Sequence, residues 1–210
     1  MDMEITHETG KLLIEFARQN IEHYLNHGKP LPVPSEIKEK FDHKSGAFVT
    51  LSVYEKAGNP LRGCIGYILP YFPLWETVSK VSIAAAVDDP RFPAVKIQDM
   101  ERIIVEVSVL TVPKQILVKT PNEYLSKIQI GRDGLIVSQD GRQGLLLPQV
   151  PVEHGRNWDV QTFLEHTCEK AWLPRNAWKD LKSTKIEHFT ATIFEETSPG
   201  GEIRKKEIGE

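Results

Sequence analysis

The sequence predicts an α/β protein, of the α+β type, with a mainly antiparallel sheet and packed helices. Segments with apolar residues at helical spacing alternate with short runs of apolar and β-branched residues, and turn-forming residues join neighbouring runs as hairpins. The 210 residues are 40% hydrophobic and 26% charged, as is ordinary for a globular protein. This length accommodates one large domain or two small lobes.

The first half of the chain predicts two helices and three strands. Apolar residues at helical spacing predict an amphipathic helix over 7–25, and the three prolines within 28–34 break regular structure after it. β-branched and aromatic residues on either side of a Gly-Asn-Pro turn predict a hairpin over 47–68. A second helix follows over 74–86, and the apolar run 103–110 predicts a buried strand.

The second half predicts a further hairpin, two helices and a last strand. Two short apolar runs flank Asp140-Gly141, a pair that favours tight hairpin turns. The predicted elements are strands 134–137 and 144–147, helices 158–171 and 174–181, and strand 186–194. We expect one domain over residues 1–197 and a flexible tail over 198–210, which is rich in glycine and charge.

Charge and cysteine content narrow the functional classes. The net charge of −3 provides no general positive field for nucleic acid, although a local basic patch is compatible with it. The two cysteines, Cys64 and Cys168, are too few for a disulfide scaffold and lack the spacing of a zinc site. The sequence therefore predicts no metal and no cofactor, and nucleic acid is not the expected partner.

The chain carries no sequence signal for a membrane. Its N-terminal residues include acids, where a secretory signal has a basic flank, and no apolar run approaches the roughly 20 residues that span a bilayer. We expect a cytoplasmic protein whose partner is a small molecule or another protein, and no membrane partner.

The best candidate site is the segment 61–66, Leu-Arg-Gly-Cys-Ile-Gly. If it is extended, Arg62 and Cys64 share one side, and a nearby guanidinium favours the thiolate of a cysteine. Gly63 and Gly66 would let a ligand approach the backbone closely. We therefore predict Cys64 and Arg62 as catalytic and the two glycines as ligand-binding. The alternative is a buried cysteine beside glycines that only permit close packing.

Two other segments offer polar candidates. Asp89 and Arg91 lie in a turn after the second helix, where they could contact a ligand or cap the helix. Gln149 and Glu153 follow a predicted strand and could position a ligand. His154 is the best-placed histidine to act as a base for Cys64, but loop histidines are more often solvated.

The segment 61–66 resembles the signature of the AMMECR family, which is named for a human chromosomal region linked to Alport syndrome, midface hypoplasia and elliptocytosis. Further similar segments lie at 84–92, 108–110, 146–150, Trp158 and 163–164. The resemblance implies a compact α/β protein of two unequal lobes, with the signature near a cleft and no assigned reaction. Trp172 departs from the family pattern, which usually has glycine there, and Pro151 stands where a small residue is usual.

Three functions fit these residues. The leading hypothesis is an enzyme in which Cys64 is the nucleophile and Arg62 stabilises its thiolate or holds an anionic substrate. The second is a non-catalytic ligand-binding or adaptor module that uses the same surface. The third, an RNA-associated regulator, requires a clustered basic face.

Overall fold

The computed structural model describes residues 5–56, 58–152 and 155–208. The helices are α1 (His7–His27), α2 (Ser35–Lys40), α3 (Leu74–Val87), α4 (Glu123–Lys127) and α5 (Val160–Lys170), with 3₁₀ helices at Ile97–Arg102 and Ala177–Lys179. The strands are β1 (Gly46–Val53), β2 (Leu61–Tyr67), β3 (Ile103–Leu110), β4 (Lys114–Gln115), β5 (Gly134–Gln139), β6 (Arg142–Leu146), β7 (Lys185–Phe189), β8 (Ala191–Glu196) and β9 (Ile203–Lys206). No helix in these ranges combines the length and apolarity needed to cross a bilayer.

The chain divides into two compact units of unequal size. Unit 1 contains residues 1–110 and 192–206, and unit 2 contains residues 111–191 and 207–210. Unit 1 holds a five-stranded sheet in the order β2-β1-β3-β8-β9, and unit 2 holds a four-stranded sheet in the order β4-β7-β5-β6. The hairpin partners β1–β2, β5–β6 and β8–β9 are antiparallel, as are β1–β3, β4–β7 and β5–β7.

The core of unit 1 lies on one face of its sheet. Strand side chains alternate between faces, so Val49 and Leu51 of β1 point the same way as Val105 and Val107 of β3. These residues form one buried cluster with apolar residues of α1 and α3: Leu13, Ile14, Ala17, Val78, Val81 and Ala85. Each large aliphatic side chain buried there stabilises the fold by about 1.5–3 kcal/mol.

Unit 2 has its own core between α5 and its sheet. Leu135 and Val137 of β5 pack with Phe163 and Leu164 of α5 and with the buried Trp178. Helix α5 begins where the Asp159 carboxylate accepts the backbone N–H of Thr162, a typical N-cap. The two units therefore each bury an independent hydrophobic cluster.

The structure confirms most of the predicted elements. The first helix, the first hairpin, the second helix and the strand at 103–110 are present as α1, β1–β2, α3 and β3. The hairpin around Asp140-Gly141 is β5–β6, and the third helix is α5, which starts two residues later than predicted.

The C-terminal third differs from the prediction. The single strand predicted over 186–194 is wrong, because β7 and β8 are separate strands on either side of Thr190 and belong to different sheets. The helix predicted over 174–181 is only a 3₁₀ turn at Ala177–Lys179. Strand β9 lies within the segment 198–210 that the sequence suggested would be a tail, and it pairs with β8.

Candidate functional site

The segment 61–66 lies in β2, an edge strand of the sheet in unit 1. Cys64 is opposite Thr50 of β1, and Gly63 is opposite Leu51. The next register pair is Leu61 with Ser52, so Arg62 has no partner on β1. Arg62 is therefore the extra residue of a β-bulge, a feature that bends a strand and redirects a side chain.

The bulge separates the side chains of Arg62 and Cys64. Arg62 lines a cavity with Ile103, which belongs to the core cluster on the helix-covered face of the sheet. The sulfur of Cys64 contacts the side chain of Thr50, which faces the other way because it precedes the core residue Leu51. The prediction that the two side chains point together is wrong, because the inserted residue interrupts the alternation on which it rested.

The thiol of Cys64 is half-buried and is held in its neutral form. The Thr50 hydroxyl donates a hydrogen bond to Sγ at 3.3 Å. Burial raises the pKa of the Cys64 thiol, and the Glu106 and Asp89 carboxylates raise it further, while Thr50 and Arg91 lower it less. Among the main influences on this pKa the only guanidinium is that of Arg91, so the arginine nearest in effect to the thiol is not the predicted Arg62.

Arg62 has a guanidinium that the protein satisfies only in part. Its side chain is 16% exposed, and Nη2 lies 3.9 Å from Oδ2 of Asp99, which is ion-pair distance without a hydrogen bond. Nη1 is buried and has no hydrogen-bond partner within the described residues. Leaving a buried donor unsatisfied costs about 1–3 kcal/mol, and more for a charged group.

The cavity next to Arg62 has a volume of about 210 Å³. It lies wholly within unit 1, and its lining residues are Val53, Arg62, Asp99, Arg102 and Ile103. Nη2 of Arg102 lies 3.6 Å from Oε1 of Glu55, and both of these side chains are exposed. Two guanidinium groups and one carboxylate therefore line the cavity, with an excess of one positive charge.

Asp89 and Arg91 hold the backbone of β2. The buried Asp89 carboxylate accepts the N–H of Cys64 at 2.9 Å, and it also accepts hydrogen bonds from Nε and Nη2 of Arg91 at 2.9 and 2.7 Å. Nη2 of Arg91 also donates to the carbonyl of Cys64 at 3.3 Å. These contacts with Arg91 are the main reason that the pKa of Asp89 is lowered. Both residues thus have a structural task at the signature strand.

The two glycines of the signature are surrounded by protein atoms. A Cβ on Gly63 would overlap the carbonyl oxygen of Ala85 in α3, and one on Gly66 would overlap the ring of Phe48. Close approach of α3 therefore accounts for the absence of a side chain at Gly63, and close packing against Phe48 of β1 accounts for it at Gly66. This is the packing alternative that the sequence left open.

The remaining predicted residues lie elsewhere. Gln149 is in unit 2, where it is buried and its Oε1 has no hydrogen-bond partner in the described part of the chain. Glu153 and His154 fall outside the described residues. The structure thus groups Arg62 with Asp99 and Arg102, and Cys64 with Thr50, Asp89 and Arg91.

Sequence reasoning missed Asp99 and Arg102. They lie in the 3₁₀ helix that leads into β3, and β3 is two strands away from β2 in the sheet. A charged pair just before a strongly predicted strand was the available signal, but nothing in the sequence places it beside Arg62. No set of three His, Cys, Asp or Glu side chains in the described ranges is arranged to hold a metal ion.

Comparison with known proteins identifies the family to which this sequence is similar. A sequence model of the AMMECR1 family matches residues 14–194. Protein PYRAB00100 of Pyrococcus abyssi is 48% identical over 206 residues, which cover 98% of each chain. Protein MJ0810 of Methanocaldococcus jannaschii is 48% identical over 204 residues, covering 97% of this chain and 98% of that protein.

A solved structure shares the fold. The crystal structure of the uncharacterized protein PH0010 from Pyrococcus horikoshii superposes with a TM-score of 0.90 at 48% identity, covering 98% of this chain and 100% of that chain. The names of these relatives assign no reaction. The family model over most of the sequence and the 48% identity to a relative along nearly its whole length show that the chain belongs to the AMMECR1 family.

Proposed function

We propose that this protein is a ligand-binding module that holds a small anionic group in the cavity beside Arg62. The observation that carries the proposal is the guanidinium of Arg62, which lines a cavity of about 210 Å³ and whose buried Nη1 has no hydrogen-bond partner within the described residues. A carboxylate or phosphate oxygen placed there would accept the unused hydrogen bond, and charge-assisted bonds of this kind are the strong ones.

The charges around the cavity support an anionic ligand. Arg62 and Arg102 contribute two positive charges to the lining, and Asp99 contributes one negative charge. The Arg62 guanidinium is mostly shielded from water, so its attraction for an anion is weakened less by salt than that of an exposed arginine. A fixed guanidinium in a partly enclosed cavity is well suited to orient a small anion.

The environment of Cys64 favours binding over nucleophilic catalysis. Its raised pKa leaves the thiol protonated near neutral pH, and its sulfur is on the other face of the sheet from the Arg62 cavity. The thiolate is the nucleophilic form of cysteine, so this arrangement does not prepare Cys64 for attack. The proposal therefore assigns the ligand to Arg62 and gives Cys64 no part in binding it.

Calorimetric titration of the full chain tests the proposal. The probes are acetate and inorganic phosphate, each added against chloride at constant ionic strength. We expect saturable binding of at least one probe, and a loss of about tenfold or more in affinity in Arg62→Met. The exposed Arg175→Met in unit 2 is the matched control, because it removes the same charge away from the cavity.

A second variant separates the two hypotheses. Cys64→Ser should bind the same probe as the wild type does, because the sulfur does not line the cavity. Absence of saturable binding for both probes would refute the proposal, as would equal affinity in wild type and Arg62→Met. If Cys64→Ser lost as much affinity for the probe as Arg62→Met, the bound ligand would depend on the Cys64 thiol, and the assignment of the ligand to Arg62 alone would be wrong.

We also propose that the protein is cytoplasmic. The two free cysteines support a reducing compartment. The net charge of −3 does not favour binding to an anionic membrane surface. Fractionation of cells that produce the full chain tests this, and recovery in the membrane or secreted fraction would contradict it.

A further inference from the structure

We infer that the ligand of the Arg62 cavity is an α-amino acid with a small aliphatic side chain, bound as the zwitterion. This inference rests on the proposed function, because it assigns the carboxylate of the amino acid to the Arg62 guanidinium. The amino acid has an ammonium group and an apolar side chain that a simple anion lacks. Asp99 would bind the ammonium group, and Val53 and Ile103 would contact the side chain.

The carboxylate of Asp99 is the first reason. It lines the same cavity as Arg62, with Oδ2 only 3.9 Å from Nη2. A simple anion bound to Arg62 would therefore lie close to a like charge, and that repulsion opposes its binding. A ligand that also carries an ammonium group turns the same carboxylate into an attractive partner.

The hydrogen bonds of Asp99 leave room for such a partner. Oδ2 accepts the backbone N–H of Lys96 at 2.9 Å, at the start of the 3₁₀ helix. Oδ1 makes no hydrogen bond to any residue that the structure describes, and the side chain is 45% exposed. An ammonium group has three donors and no acceptor, so it matches this free oxygen.

The apolar part of the lining is the second reason. Val53 and Ile103 are opposite each other where β1 and β3 pair, and both line the cavity. The cavity of about 210 Å³ is small, and it suits a ligand of valine's size, whose side chain would contact Val53 and Ile103.

Three probes dissect this recognition in calorimetric titrations of the full chain. They are L-valine, 3-methylbutanoate, which lacks the ammonium group, and 2-methylpropylamine, which lacks the carboxylate. We expect valine to bind at least about tenfold more tightly than either analogue. The 2-methylpropyl group is retained in each analogue, so the difference reports the charged group that each one lacks.

Variants assign each charge to a residue. Asp99→Asn should weaken valine about tenfold or more, and it should leave 3-methylbutanoate unchanged or more tightly bound because the like charge is gone. The amide keeps an oxygen that can accept the Lys96 N–H, so the 3₁₀ helix retains its cap. The exposed Asp42→Asn is the matched control and should not alter either affinity. Arg62→Met should weaken both carboxylate probes.

The outcomes separate this inference from the proposed function. If 3-methylbutanoate binds through Arg62 and valine binds no more tightly, the zwitterion inference is overturned and the anion site stands. If Asp99→Asn changes the affinities for valine and for 3-methylbutanoate equally, the zwitterion inference is likewise overturned and the anion site stands. If acetate and phosphate both fail to bind the wild type, the anion site falls, and the zwitterion inference that rests on it falls as well.

Discussion

Arg62 and Cys64 are two residues apart on the signature strand, but their side chains lie on opposite faces of the sheet. Arg62 is the residue inserted by a β-bulge, and it faces the cavity with Asp99 and Arg102. Cys64 is in regular register with Thr50, whose hydroxyl donates a hydrogen bond to its sulfur. The cation and the thiol therefore lie apart, and mutations at each are expected to have separate effects.

Cys64 should react slowly with alkylating reagents. Burial raises the pKa of its thiol, so less thiolate is present at any given pH than for an ordinary cysteine. In a Cys168→Ser background, the iodoacetamide rate near neutral pH should be lower than that of free cysteine. It should rise with pH, with a midpoint above the ordinary cysteine pKa of about 8.5. Cys64→Ser in the same background gives the blank, and a rate above that of free cysteine would contradict the burial argument.

Removing the charge of Asp89 should weaken the fold at the signature strand. Asp89→Asn loses the carboxylate that accepts hydrogen bonds from Arg91 and from the Cys64 backbone, and bonds to charged groups contribute about 1.5–3 kcal/mol each. We expect the free energy of unfolding to fall by about 2–3 kcal/mol in urea titrations. The exposed Asp42→Asn should change it by less than about 0.5 kcal/mol.

The effect of Asp89 should depend on pH in one direction. The pKa of this carboxyl is lowered in the folded protein, so its contribution is fully present above its unfolded pKa of about 3.9. The contribution is lost as the pH falls through the lower, folded pKa. The difference in unfolding free energy between wild type and Asp89→Asn should therefore be constant near neutral pH and shrink below about pH 4. A difference that grows on acidification would show that the carboxylate is not stabilised in the folded state.

Gly63 should not tolerate a side chain. The Cβ of Gly63→Ala would overlap the backbone carbonyl oxygen of Ala85, so α3 and β2 would have to move apart. Overpacking of this kind costs about 1–3 kcal/mol, measured by urea unfolding. Gly28→Ala provides a comparison with open space but a φ of 67°, so it should show only the cost of the left-handed conformation, about 1 kcal/mol. A Gly63→Ala variant as stable as the wild type would mean that α3 can shift freely.

Trp172 is a position where glycine should improve stability. Its φ is 58°, and it follows α5 in a Schellman motif, in which Trp172 N–H donates to Glu169 and Leu173 N–H donates to Cys168. The side chain is 87% exposed, so little packing offsets the left-handed backbone. Trp172→Gly should raise the unfolding free energy by up to about 1 kcal/mol. Trp172→Ala keeps the β-carbon and should give no comparable gain, and equal gains in both variants would exclude the backbone explanation.

Sequence patterns predicted the long elements because each has a strong local signal. The apolar spacing of α1 and α3 and the β-branched run of β3 each identify one element without reference to the rest of the chain. The turn at Asp140-Gly141 identified the second hairpin in the same way, with φ values of 49° and 78° in the structure. These predictions are correct because the burial of one face of a helix or strand sets the spacing of its apolar residues.

The short and irregular parts needed tertiary information. The continuous run 185–196 gives no local sign that Thr190 separates strands of two different sheets. Strand β9 has only four residues, and its pairing with β8 depends on a six-residue connection rich in glycine. Patterns of this length carry too little information to distinguish a strand from a loop.

The cavity adjoins the segment that the sequence singled out, but most of its lining was not predicted. Arg62 was identified from the signature, whereas Asp99 and Arg102 reach it through the order of strands in the sheet. The orientation of Arg62 depended on a bulge, and a bulge leaves no mark in the alternation of a segment that contains two glycines. Geometry rather than residue type therefore decided which side chains belong together.

The inserted residue in β2 also changes how the hexapeptide should be understood. Six consecutive letters in a chain suggest a single recognition element, but here they supply two surfaces separated by the thickness of a sheet. A homologue that lacked the extra residue could retain the sulfur and the glycines in their usual places and still have no cation facing the hollow. The length of the hairpin arm, as much as the identity of its residues, thus determines whether that hollow carries a positive charge.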